Sequence, residues 1–198
     1  MSYALIREGG ATITEFQTVP DVLENISNFQ AMPVEDRAEF GFLPVVDEPP
    51  ALGEFESMTR TLVYDAAMDR VVAQYAVTVA PVADVRAALW ERIKERRQAC
   101  IEGGAQADGF WYHSDLFSRT QWLGMLIQGA ALPGGILWKR MDNSFIALTP
   151  TLVQQVFAAI AMKEQAAFTN AEYLKAQINA APDPRTVDLT AGWPASYE

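Results

Sequence analysis

His113, Ser114 and Asp115 stand side by side and hold the three residue types of a nucleophile, a base and an orienting acid. Side chains adjacent along a chain rarely converge, however, and a working triad needs partners brought from separate elements. His113 is the only histidine and Cys100 the only cysteine of the 198 residues. Neither can form a metal site without two or three further ligands, nor can Cys100 form an internal disulfide. Cys100 falls on the inward stripe of a helical pattern, which favours burial over reactivity. The glycine pairs Gly9-Gly10, Gly103-Gly104 and Gly134-Gly135 lack the following Lys-Ser/Thr of a phosphate loop and the spacing of a dinucleotide fingerprint. Twenty-five acids leave room for a glycosidase-type pair, but none stands in a recognisable context. Glu164, near the apolar stripe of the last helix, reads best as a polar register-setting position. The expectation is therefore no catalytic residue, no cofactor, no metal and no enzyme.

The elements that would carry these residues describe an α+β chain. Residues 1–80 read as a β-rich module. Tyr3 to Arg7 and Thr12 to Phe16 flank Gly9-Gly10 as a hairpin. Thr18-Val19-Pro20-Asp21 opens a short helix. Residues 29–58, with Pro33, Pro44, Pro49 and Pro50 among acids, read as an extended connector anchored by Phe40, Phe42 and Leu43. Thr61 to Tyr64 and Val71 to Val79 form a second hairpin.

Residues 81–198 read as a helical domain with an inserted hairpin. Val82 to Glu102 is a helix with Val82, Val85, Leu89, Ile93 and Cys100 inward. Its Arg92, Lys94, Arg96 and Arg97 sit towards the carboxyl end and suit the helix dipole better than nucleic acid. Gly109 to His113 is a strand, and Ser114 or Asp115 caps a helix to about Ala131 with Leu116, Leu123, Leu126 and Ile127 inward. Ile136 to Arg140 and Ser144 to Leu148 pair around Asp142-Asn143. Thr149 caps and Pro150 opens a final helix to about Ala180, with Val153, Val156, Phe157, Ile160, Phe168, Leu174 and Ile178 inward. Burial of Phe168 would make its truncation to alanine cost roughly 3–5 kcal/mol.

Charge and hydropathy narrow the setting. Residues 1–60 hold eleven acids against Arg7, Arg37 and Arg60, most of the net −10. That balance disfavours nucleic acid and anionic membranes as partners. Glycines and prolines interrupt the apolar run from Thr120 to Trp138, so no membrane span is expected. The first ten residues lack the basic and apolar blocks of a secretory signal. Tryptophan, tyrosine and phenylalanine are the usual anchors of protein interfaces. Phe40, Phe42, Trp111, Tyr112, Trp138 and Trp193 are the candidates for that role.

Three segments carry a resemblance. They are Ser114-Asp115-Leu116-Phe117-Ser118-Arg119 behind its aromatic strand, Leu137 through Thr149, and the alanine-rich helix with Phe168 and Glu172-Tyr173-Leu174-Lys175-Ala176-Gln177-Ile178. With the closing Ala191-Gly192-Trp193-Pro194, they make residues 91–194 resemble a domain family of unassigned function. That family is found in tail-fibre-associated proteins of tailed bacteriophages and prophages. Gly41-Phe42-Leu43-Pro44-Val45-Val46 is similar to the connector that precedes this domain in such proteins. The resemblance implies a virion structural protein, made in the host cytoplasm and residing in the tail. It would be an adaptor where tail fibres meet the baseplate, with tail-fibre and baseplate proteins as partners. A homo-oligomer follows from the same setting, a trimer being the state common among tail fibres. The alternative is a chaperone of fibre assembly that leaves before the virion is complete. A cell-wall hydrolase has only the number of acids in its favour.

Overall fold

The computed structural model describes residues 2–197 and is of the α+β class. The chain divides into two compact units that meet in sequence at Ala80 and Pro81.

The first unit is built on one five-stranded sheet. β1 (Tyr3–Arg7) and β2 (Thr12–Phe16) pair antiparallel as the Gly-Gly pattern predicts. Behind Pro20 the chain makes no helix. Instead two short strands, β3 (Val22–Leu23) and β4 (Ile26–Ser27), form a miniature hairpin. α1 (Val34–Glu39) and β5 (Phe42–Val46) follow, and they correct the reading of residues 29–58 as a connector. β5 is a central strand, antiparallel to β1 and parallel to β7 (Arg70–Val79). The irregular stretch shrinks to residues 47–55, ahead of β6 (Glu56–Asp65), the antiparallel partner of β7.

Pro44 disguised β5. It faces Tyr3 at the last position paired with β1, and pairing with β7 begins at Val45. A residue without an N–H is tolerated at that hand-over, whereas it would break a continuous ladder. Gly41 (φ +74°) admits the strand, because a β-carbon there would lie 2.7 Å from the Ile6 carbonyl oxygen.

The strand order is β2-β1-β5-β7-β6, yet the two outer strands also meet. Arg60 on β6 donates two hydrogen bonds to Glu15 on β2, at 2.7 and 2.8 Å. It also contacts Asp47 at 2.9 Å, and the Tyr75 hydroxyl donates to the same carboxylate. The sheet is therefore curled, with Ala4, Ile6, Leu43, Val45, Val71 and Ala73 clustered on one face. Phe29, Phe42 and Leu23 form a second cluster under the β3–β4 hairpin.

In the second unit, α2 (Val82–Glu102) leads to β8 (Ala105–Ala107) and β9 (Phe110–Tyr112). Asp108 and Gly109 both have positive φ at the turn between them, the geometry of a two-residue hairpin that Asp-Gly favours. α3 (Leu116–Gln128), β10 (Leu137–Lys139), β11 (Phe145–Ala147) and α4 (Pro150–Ala180) complete it. Thr149 caps α4 by accepting from the Leu152 N–H at 3.2 Å, with Pro150 in the first position.

α4 is the spine, about 46 Å long at 1.5 Å per residue. Leu152, Val153, Val156 and Ile160 in its first half pack in one cluster with Tyr112, Trp122 and Leu148. In its second half Ala167, Ala171, Leu174 and Ile178 are buried where α2 packs. Arg86 of α2 donates to the carbonyls of Ile178 and Ala181, so the start of α2 ties down the end of α4.

Several inward assignments are corrected. Val82 is exposed, and Phe168 is 41 % exposed with the Arg97 guanidinium 4.4 Å above its ring. The slot expected for Phe168 is taken by the smaller Ala167 and Ala171. On α3, Leu116, Leu123 and Ile127 face outwards, and Trp122 holds the buried position instead.

Two outcomes follow for stability. Trp122→Ala should cost about 3–5 kcal/mol in denaturant unfolding, whereas Phe168→Ala should cost only about 1 kcal/mol. The hydrogen bonds from Arg60 depress Glu15 below its ordinary value of 4.5, and the Tyr75 hydroxyl first and then Arg60 depress Asp47. A depressed carboxylate contributes stability above the ordinary range, and that stability is lost as pH falls through the lower folded value. The melting temperature of the first unit should therefore drop as pH falls below the ordinary carboxylate value of 4.5, and less steeply in Arg60→Ala.

Candidate interaction surface

The residues that could have been reactive are held by structural bonds. The Ser114 hydroxyl is buried, donates to the Ile101 carbonyl at 2.5 Å and accepts from the Gly104 N–H at 2.9 Å. It thereby staples the end of α2 to the start of α3. Asp115 caps α3 by accepting from the Ser118 N–H at 3.0 Å and the Ser118 hydroxyl at 2.7 Å. Those bonds hold its carboxyl below the usual range, with the Ser118 hydroxyl the larger cause. The His113 ring is half-buried, and its carbonyl accepts from the Trp122 indole at 3.2 Å. Cys100 is buried and its thiol points at the Pro194 carbonyl. Glu164 pairs with Arg119 of α3 at 3.1 Å. Among the described residues no three His, Cys, Asp or Glu side chains converge as metal ligands. No helix among them is long and apolar enough to cross a membrane.

The aromatic interface candidates separate into core and surface. Phe42 and Tyr112 are fully buried in the chain's own clusters, so neither can anchor a partner. Tyr112 meets Trp122 edge-on at 5.8 Å, and the half-buried Trp138 lies 4.2 Å from the fully buried Trp122. Trp193 is half-buried against Cys100, Ile101 and Ala167, its indole donating to the Leu189 carbonyl. Phe40 is 41 % exposed and Trp111 half-buried, so these two keep access to solvent. Sequence reasoning missed Lys163, which lies beside Trp111 in a hollow of about 560 Å³ floored by Ala158 and Ala159. Its ammonium donates to the Gly104 carbonyl and the Ser196 hydroxyl, and burial pushes its pKa down.

The larger feature is the outer side of α3. Leu116, Leu123 and Ile127 are 68 %, 45 % and 77 % exposed, and Phe117 beside them is 71 % exposed. With Thr120 they follow a 4-3-4 spacing, which keeps all four within about 60° of arc on a helix turning 100° per residue. Ser118 and Trp122, the buried pair, face the opposite side. Between α3 and α4 runs a groove of about 270 Å³, walled by Leu116, Thr120 and Leu123 and floored by Phe157, Ile160 and Ala161. The Arg119–Glu164 ion pair sits within it.

A family model described as a domain of unknown function (DUF4376) matches residues 84–191. The chain belongs to this family. No curated protein and no solved structure matches it. The DUF4376 region runs from the first turn of α2 to the segment before Trp193. It therefore contains the Ser114 staple, the groove and the exposed stripe of α3, while the curled sheet of the first unit lies outside it.

The staple has a measurable consequence within the DUF4376 region. Ser114→Ala strands a buried carbonyl and a buried N–H, so it should lower unfolding stability by about 1–3 kcal/mol. Chemical denaturation measures that loss, and circular dichroism should show unchanged helix content.

Proposed function

We propose that the chain is a structural adaptor of a tailed-bacteriophage virion, placed where tail fibres attach to the baseplate, and that it works by holding proteins together. The observation that carries an assembly role is the apolar outer side of α3. The chain's own core covers the Trp122 side of α3 and leaves Leu116, Phe117, Leu123 and Ile127 open to solvent. Leu137 and Phe145 on the β10–β11 hairpin and Phe110 are further exposed apolar residues. Patches of this kind mark sites of protein association.

The tail setting comes from the resemblance of residues 91–194, and the family match over residues 84–191 leaves function unassigned. Ser114, Asp115 and Cys100 serve as bonds and packing, which favours a non-catalytic role. Tail-fibre and baseplate proteins are the partners this reading names.

Mass spectrometry of purified virions of the encoding phage tests it. The chain should be present in a fixed ratio to the fibre protein. Absence from mature particles, together with a higher yield of soluble fibre on co-expression, would establish the chaperone instead.

A further inference from the structure

We propose that Lys163 is a nucleophilic amine that captures small uncharged aldehydes as a Schiff base in the hollow beside Trp111. The site shares no lining residue with the groove between α3 and α4, and it stands apart from the virion reading.

Lys163 belongs to α4, and its Nζ meets the chain just beyond α2. It donates to the Gly104 carbonyl and, at 3.2 Å, to the Ser196 hydroxyl. Both acceptors are uncharged. The other three lysines have different surroundings. Lys94 and Lys175 pair with Glu91 and Glu172, and Lys139 is exposed on β10. A carboxylate or open water beside an ammonium favours the charged form, whereas burial among uncharged groups favours the neutral amine. Lys163 is half-buried, with its Nζ 5.4 Å from the centre of the Trp111 ring. Burial is the larger influence on it and lowers its pKa, while the nearby Cys100 thiol acts the other way. Asp108 lines the hollow, Tyr197 packs on Trp111, and the neighbouring Glu164 is engaged by Arg119. Among the described residues no carboxylate pairs with Lys163.

The two hydrogen bonds suit the neutral form. An ammonium carries three donors, one more than the acceptors that meet it. A neutral amine keeps two N–H groups and gains a lone pair. Both bonds then survive loss of the proton, and the lone pair is left for an electrophile. Desolvated lysines of this kind are the ones that form Schiff bases with carbonyl compounds. The nitrogen attacks the carbonyl carbon and the C–N bond forms. The carbonyl oxygen takes both amine protons and leaves as water, so no oxidant or reductant is consumed. Once protonated, the imine has one N–H for the Gly104 carbonyl.

The hollow sets the substrate class. Its volume of about 560 Å³ is in the range of pockets that enclose small organic molecules. Ala158, Ala159, Met162 and Pro194 line it together with Trp111, which suits an aliphatic or aromatic body. Lys163 is the one basic residue of that lining. No second cation receives a phosphate or carboxylate carried by the same molecule.

Reductive alkylation of the full chain, read by site-resolved peptide mass spectrometry, measures the capture. Cyanoborohydride supplies the hydride that fixes each imine as a secondary amine. At about pH 7, limiting benzaldehyde should mark Lys163 several-fold faster than Lys94, Lys139 or Lys175, with the α-amino terminus scored separately. The rate at Lys163 should be half-maximal below the ordinary lysine value of 10.5. Formaldehyde, which has no apolar body, should show a smaller preference. Ala159→Glu places a carboxylate four residues before Lys163, the spacing of a helical ion pair, and should bring Lys163 down to the rate of Lys94. Should that variant fold poorly, Ala158→Trp, at an exposed position in the lining, should remove the benzaldehyde preference and keep formaldehyde labelling. The proposal falls if Lys163 is marked no faster than the exposed Lys139, or if formaldehyde shows the same preference as benzaldehyde. It falls equally if a folded variant labels like the wild type. Virion content is measured separately, so this site and the adaptor role can fail independently.

Discussion

The close approach of α2 to α4 is the constraint on which the second unit depends. It is possible because Ala167 and Ala171, rather than large side chains, occupy the buried side of α4 there. Small residues let two backbones come together, and the larger Leu174 and Ile178 then fill the space farther along. With that half of α4 closed by α2, its first half is left to the Tyr112–Trp122 cluster. Trp122 takes the buried position of α3 in this cluster with Met125 and Leu126 packed against it, while Leu116, Leu123 and Ile127 lie outside. Their exposure is a consequence of how the core is filled.

The same arrangement explains why residues with reactive types are spread through the unit as fasteners. Ser114 closes the gap between α2 and α3, Asp115 starts α3, and Arg86 ends α4. Each satisfies backbone groups that a helix terminus leaves without partners. Rigid supports of this kind present the α3 surface in a fixed orientation, which suits association of preformed surfaces. The adaptor role proposed above would need that property more than a pocket with a poised nucleophile.

Much of the second unit was legible because its signals are local. The Thr149-Pro150 cap, the Asp142-Asn143 turn and the Pro81 start of α2 each act within a few residues. The Asp108-Gly109 turn is equally local and announces the β8–β9 hairpin. Facing was harder to read. A stripe of Leu and Ile looks the same whether it meets the chain's own core or another chain, and Trp122 outcompeted it by size. In the first unit the failure was of another kind. Phe42-Leu43-Pro44-Val45-Val46 is an apolar run suited to a buried strand, and the proline masked it because its tolerance depends on which neighbour pairs at which position.

β5 also governs how the first unit holds together. Its neighbours are members of two separate hairpins, β1–β2 and β6–β7, each of which forms from residues near in sequence. A lone two-stranded ribbon is marginal in water, so each hairpin gains support from the strand carrying Pro44 that lies between them. The parallel register with β7 spans residues 47–55 and the whole of β6, a less local pairing than either hairpin. The integrity of the sheet consequently rests on β5, the strand that joins both hairpins into one surface.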